Sequence, residues 1–170
     1  IVKLANGKEE MLASIPAIQP VSNKELKRLA SGFGFRMHPI YKVRRMHSGT
    51  DFSLPTGSPV YATGDGIVKY TRSKLSGYGK HLQINHGYGY QTLYAHLSKF
   101  LVRPGERVKR GQIIAYSGNT GGSTAPHLHY EVVKDGQKVD PVNYFYQDLS
   151  DKEFTEILRL SRSENQSMGR

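Results

Sequence analysis

From Gly32 to about Tyr144 the chain is a succession of short runs rich in Val, Ile, Tyr and Thr, each closed by a glycine-containing turn. β-Branched and aromatic side chains suit a pleated, half-buried surface, so this texture predicts a mainly β domain of antiparallel sheets. Strands are expected at "TDFSL", "PVYAT", "GIVKYTRS", "KHLQINH", "YQTLYAHL", "QIIAYSG" and "HLHYEVVKDGQKVD". The last contains a "KDGQ" hairpin turn. In "LVRPGERVKRGQIIAYSG", turns at Pro104-Gly105 and Arg110-Gly111 set Val108 and the Ile113-Ile114 run where a sheet can bury them.

The flanks read differently. Residues 1–30 form an arm that Pro16 and Pro20 keep extended, ending in a short helix signalled by the capping-box spacing of Ser22 and Glu25. Residues 31–146 are the domain proper. In residues 147–170 a second such pattern, Ser150 with Glu153, opens a C-terminal helix whose apolar stripe is Phe154, Ile157 and Leu158, followed by a frayed polar tail, "SRSENQSMGR". The first residue is Ile1 rather than Met, so a processed or truncated product is expected, with any membrane attachment residing in an absent N-terminal segment.

A chain of 170 residues can bury a core as one domain without disulfides. It has no cysteine, so a metal must be held by His, Asp or Glu. A formal charge of +10 favours polyanions, without choosing among nucleic acid, anionic lipid and acidic wall polymers.

Of seven histidines, three strand-adjacent places hold those of interest: "MHSGTDF" with His47 and Asp51, "LYAHLS" with His96, and "PHLHYE" with His127 and His129. Residues i and i+2 share a strand face, so both rings of the pair look one way while Leu128 looks the other. A catalytic zinc ion takes three protein ligands and keeps a fourth position for water; His47, Asp51 and one ring of the pair supply that number. The "SGT" turn is flexible enough to bring His47 and Asp51 to one point. Strict alternation puts His96 beside Thr92 and Tyr94, leaving Leu93, Ala95 and Leu97 for the core. Singly, each residue has a plainer explanation: a surface pair, a basic loop beside Arg44 and Arg45, a turn aspartate. His38, His81 and His86 are assigned structural or surface roles. Tyr41, Tyr78, Tyr88, Tyr90 and Tyr94 either line a groove for an extended peptide or pack as aromatics. No HExxH motif occurs, so no glutamate stands where many metalloproteases keep their general base.

The segments "SGFGFRMHPIYKVRRMHSGTDFSLPTGSPVYATGDGIV", "GYGKHLQINHGYGYQTLYAHLS", "VKRGQIIAYSGNTGGSTAPHLHYEV" and "DPVNYF" resemble, in order, the signature segments of the M23 family of zinc metallopeptidases, the lysostaphin and LytM type of peptidoglycan endopeptidase. The resemblance implies a single zinc ion per chain, held by His47, Asp51 and His129, with His96 and His127 as catalytic histidines. It also implies an antiparallel sheet with an open cleft. Two departures stand near these residues: Lys42 where the family usually has glycine, and Ala125 in "STAPHLH".

The function so implied is hydrolysis of peptide cross-links in bacterial peptidoglycan. Cleavage of the D-alanyl to diaminopimelate bond is favoured over glycyl-glycine cleavage, because no wall-binding domain is appended. A monomer in the periplasm or cell wall is expected, with peptidoglycan as substrate, an envelope or regulatory partner, and no nucleic acid. The alternative is a catalytically silent or autoinhibited module of the same fold that binds peptidoglycan or activates another hydrolase. A lipoyl- or biotinyl-type carrier, suggested by "VRPGERVKRGQIIAYSG", leaves the five His and Asp residues without a reason.

Overall fold

The computed structural model describes residues 2–22, 24, 29–37, 41–147 and 149–163; Glu25, His38 and the end of the polar tail lie outside the described residues. The strands are Leu29–Ser31 (β1), Gly34–Met37 (β2), Arg44–His47 (β3), Thr50–Ser53 (β4), Pro59–Tyr61 (β5), Gly66–Arg72 (β6), Lys80–Gly87 (β7), Tyr90–Phe100 (β8), Arg107–Val108 (β9), Ile113–Ser117 (β10), His127–Lys134 (β11) and Gln137–Val139 (β12). All seven expected segments contain strand. The four unforeseen ones are very short, or, in β2 and β3, exposed and arginine-bearing, so they carry no alternating pattern.

One antiparallel sheet runs β1-β4-β11-β8-β7-β6-β9, with β10 joined to β8 and β5, and β12 to β11. The β2–β3 pair is a separate hairpin. In the "KDGQ" turn Asp135 and Gly136 both have positive φ, 49° and 79°, the backbone a two-residue reversal needs. Gly105 and Gly111 are also left-handed, and Val108 and Ile114 are buried as expected, whereas Ile113 is 39% exposed.

The N-terminal segment corrects the expectation of an extended arm. Val2–Ser14 is an α-helix (α1), because Lys, Leu, Ala, Glu and Met are good helix formers and Pro16 ends the helix rather than stretching what precedes it. The Arg110 guanidinium donates to the carbonyls of Leu12 and Ile15, each at 2.6 Å, at the helix C-terminus. At the other end Asp151–Arg162 (α2) opens with the complete Ser150–Glu153 capping box and buries Ile157.

The core lies against one face of the sheet: Phe52 from β4, Tyr94 and Leu97 from β8, and Leu128, Tyr130 and Val132 from β11, with Phe145 and Ile157 joining from outside it. Tyr94 is therefore a core residue and not part of a groove. Thr63, Thr92, Tyr94, Tyr130 and His86 form a buried chain of hydrogen bonds, 2.7 to 3.2 Å long, that satisfies their polar atoms. His86 has a structural role there, and His81 is likewise buried, with Nδ1 donating to Gly79 O at 2.9 Å.

Candidate metal centre

The face opposite the core carries the site, and strand register builds it. Across the β4–β11 ladder Asp51 pairs with His129, Phe52 with Leu128 and Ser53 with His127. Alternation sends Phe52 and Leu128 into the core and leaves Asp51, His127 and His129 together on the other side. Both histidines are buried, so the pair is not a solvated surface feature. His47 closes β3, and the chain returns to β4 through Ser48-Gly49. A Cβ on Gly49 would stand 2.2 Å from the Tyr130 carbonyl oxygen, so only glycine lets this turn lie against β11.

Asp51 is the hub. Its Oδ1 lies 2.7 Å from His129 Nδ1, 3.2 Å from His47 Nε2 and 3.8 Å from His127 Nε2. Burial pushes the Asp51 carboxyl upward, but the hydrogen bond with His129 and the nearby His47 ring outweigh it and hold the group well below the usual carboxylate range. For His129, burial favours the neutral ring, yet the hydrogen bonds to Asp51 and Glu131 prevail and raise it to about 9. His47 Nδ1 lies 2.7 Å from Gly32 O and so carries the proton; its Nε2 is buried with no hydrogen-bond partner. That orphaned nitrogen, beside a carboxylate and a second imidazole, fits a metal ligand. Ligand atoms of His47, Asp51 and His129 all lie within 4.8 Å of one another, the one such group among the described residues. Two imidazoles and a carboxylate are a zinc donor set with a fourth position left open.

The other two histidines stand beside this trio. His127 Nδ1 donates to Ala125 O at 2.8 Å, so its basic nitrogen is Nε2, which is buried without a partner. The bond uses the backbone of residue 125, so having Ala there leaves it intact. His96 Nδ1 donates to Thr120 O at 2.7 Å, and the His96 and His127 ring centroids are 4.6 Å apart. Burial lowers both, His96 to about 4.

His96 corrects the expectation from alternation. Tyr94 and Leu97 belong to the core, while Leu93 and Ala95 sit opposite Glu131 and His129 on the site side. The pairing with β7 slips by one residue between Tyr94 and Leu97, and His96 adopts φ 60°. This bulge turns His96 out of the core face and toward His127 and His129. Strict period-2 reasoning cannot see it.

All five residues singled out in the sequence thus come together. Sequence reading missed Glu131, whose Oε1 accepts from His129 Nε2 at 2.9 Å, Ser48 Oγ at 2.5 Å and Tyr78 Oη at 2.6 Å. Its signal was available, since Glu131 is two residues beyond His129 on the same strand face. Among the five tyrosines, Tyr78 lies at the site, stacked on His129 at 5.8 Å.

Fold and donor set together define a mainly β protein with a metal centre of the His, Asp, His kind, one such group among the described residues, on the face of its sheet opposite the core. The model of peptidase family M23 matches residues 45–141. Peptidoglycan DD-endopeptidase ShyA of Vibrio cholerae is 48% identical over 122 residues, 71% of this chain and 28% of that protein. A zinc-containing peptidase from Vibrio cholerae shares the fold with TM-score 0.68 and 44% identity, over 78% of this chain and 40% of that one. The catalytic domain of lysostaphin from Staphylococcus simulans does so with TM-score 0.62 and 35% identity, over 74% and 98%. This chain belongs to peptidase family M23. It spans little more than a quarter of the length of the curated relative it matches.

Proposed function

We propose that this chain is the catalytic part of a zinc-dependent endopeptidase that cuts the D-alanyl to diaminopimelate cross-links of bacterial peptidoglycan in the cell envelope. The peptidase unit is residues 31–146, flanked by the N-terminal arm and the C-terminal helix, and it acts as a monomer. The observation that carries the reading is the intact set of three ligands with two neutral, basic histidines beside it. The name of the Vibrio cholerae relative supports the choice of bond.

His47, Asp51 and His129 hold the zinc ion. When bound, zinc supplies Lewis acidity, polarising a scissile carbonyl and bringing the pKa of water down to about 7. The two remaining rings handle protons at Nε2. One accepts a proton from the attacking water at Nε2; only a ring protonated in this way can donate to the developing oxyanion and pass that same proton to the leaving amine. Each contributes about 10²–10⁴-fold. Their anchors, Ala125 O and Thr120 O, fix the tautomer that makes Nε2 basic.

The exposed β3 residues Arg44 and Arg45, next to His47, suit an anionic wall polymer. A silent binding module is expected to have lost a ligand, and here none is lost. Mass spectrometry of muropeptides decides the matter, using sacculi cross-linked through D-alanyl-diaminopimelate and walls bridged by glycine. Cross-linked dimers of the first kind should become monomers, and chelator should stop it; release from glycine bridges alone, or insensitivity to chelator, contradicts the proposal.

A further inference from the structure

A buried carboxylate that takes no part in the chemistry above stands against the metal ligands. Glu131 is almost wholly inaccessible, which costs free energy unless the charge is well paired. Its pairing is dense. Oε1 accepts from His129 Nε2, Ser48 Oγ and Tyr78 Oη, and Lys138 Nζ lies 3.2 Å from Oε2. These partners come from different parts of the chain: Ser48 follows the ligand His47, His129 is on β11, and Lys138 is on β12. Tyr78, in the β6–β7 connection, stacks on His129 and offers its backbone carbonyl to the His96 N–H at 2.9 Å. The carboxylate therefore touches both ligand-bearing segments and, through Tyr78, the strand that carries His96.

We propose that Glu131 is the positioning residue of the metal centre: by taking the His129 Nε2–H it leaves Nδ1, the nitrogen beside Asp51, as the donor to the metal, with Tyr78 and Lys138 holding Glu131 in place. A ligand histidine whose other nitrogen donates to a carboxylate is fixed in tautomer and ring orientation and made more basic, and removing such a carboxylate costs about 10–100-fold in metal affinity. Lys138 is 45% exposed and neutralises the carboxylate from the solvent side. The inference rests on the metal-centre reading given above.

Zinc affinity by chelator competition tests it, together with ¹⁵N NMR of the His129 ring in the zinc-loaded protein. Glu131→Leu should bind zinc about 10–100-fold more weakly than the wild type. Glu131→Gln, whose amide oxygen can still accept from Nε2–H, should recover most of that loss. In wild-type protein the spectrum should show Nδ1 bound to metal and Nε2 protonated. Wild-type affinity in a folded Glu131→Leu variant overturns the proposal, as does metal on Nε2 in the wild-type spectrum, which needs no variant to fold. If the wild-type chain binds no zinc at all, the metal-centre reading has failed and not this step alone.

Discussion

Asp51 and His129 face each other as partners across the β4–β11 ladder, with Oδ1 of one 2.7 Å from Nδ1 of the other. The metal centre is thus a product of strand register. A slip of one residue would carry Asp51 to the core face and put Phe52 among the histidines.

Ligands and proton carriers are separable by metal content. Asp51→Ala and His129→Ala should purify without zinc. His96→Ala and His127→Ala should retain it while losing about 10²–10⁴-fold in turnover. Elemental analysis beside a cross-link cleavage assay makes the distinction; equal metal depletion in all four variants would show that the division of roles is wrong.

The acid limit of activity should lie below the ordinary histidine range. Burial favours the neutral rings of His96, lowered to about 4, and of His127. The neutral ring is the base, so lowering its pKa extends activity toward acid. At saturating zinc, kcat should halve well below pH 6.5. A midpoint at 6.5 or above in the pH–kcat profile contradicts this.

Zinc affinity should move the opposite way to acidity. In the metal-free protein His129 holds a proton up to pH about 9, and a metal must displace it. Between pH 6 and 8 the proton on His129 alone should make apparent affinity rise about 10²-fold, tenfold per pH unit below that value. Competition titrations at the two pH values measure it, and an unchanged affinity argues against the proton.

Gly79→Ala tests the support of His96. Gly79 has φ 62°, and a Cβ there would stand 2.4 Å from the carbonyl carbon of Thr120, whose oxygen holds His96 Nδ1. The variant should lose turnover and roughly 1 kcal/mol or more of stability, while keeping its zinc. Full activity with zinc bound would mean that the Thr120 anchor is dispensable.

Lys42 holds a left-handed backbone, φ 51°, a conformation that favours glycine. Relief of that strain is worth about 1–2 kcal/mol, and glycine gives back about 0.5–1 through its freer unfolded chain. Lys42→Gly should therefore raise the Tm of the zinc-loaded protein by a few degrees; a lower Tm would mean that the Lys42 side chain has stabilising contacts.

The amino-acid order alone determined the strand texture, the "KDGQ" reversal and the Ser150 cap, because each depends on spacing within a few neighbours; spacing also singled out five candidate His and Asp residues, and only the resemblance to family M23 divided them into ligands and proton carriers. The order also placed His127 and His129 on one face, since a strand's period is local. Tertiary structure decided the rest. His96 reaches the site because the ladder slips against β7, a feature of pairing and not of the strand itself. Glu131 becomes a support because Ser48, Tyr78 and Lys138 arrive from segments up to 83 residues away. Separations of that kind are closed only by folding, which is why three places in the chain could be recognised before they could be known to meet.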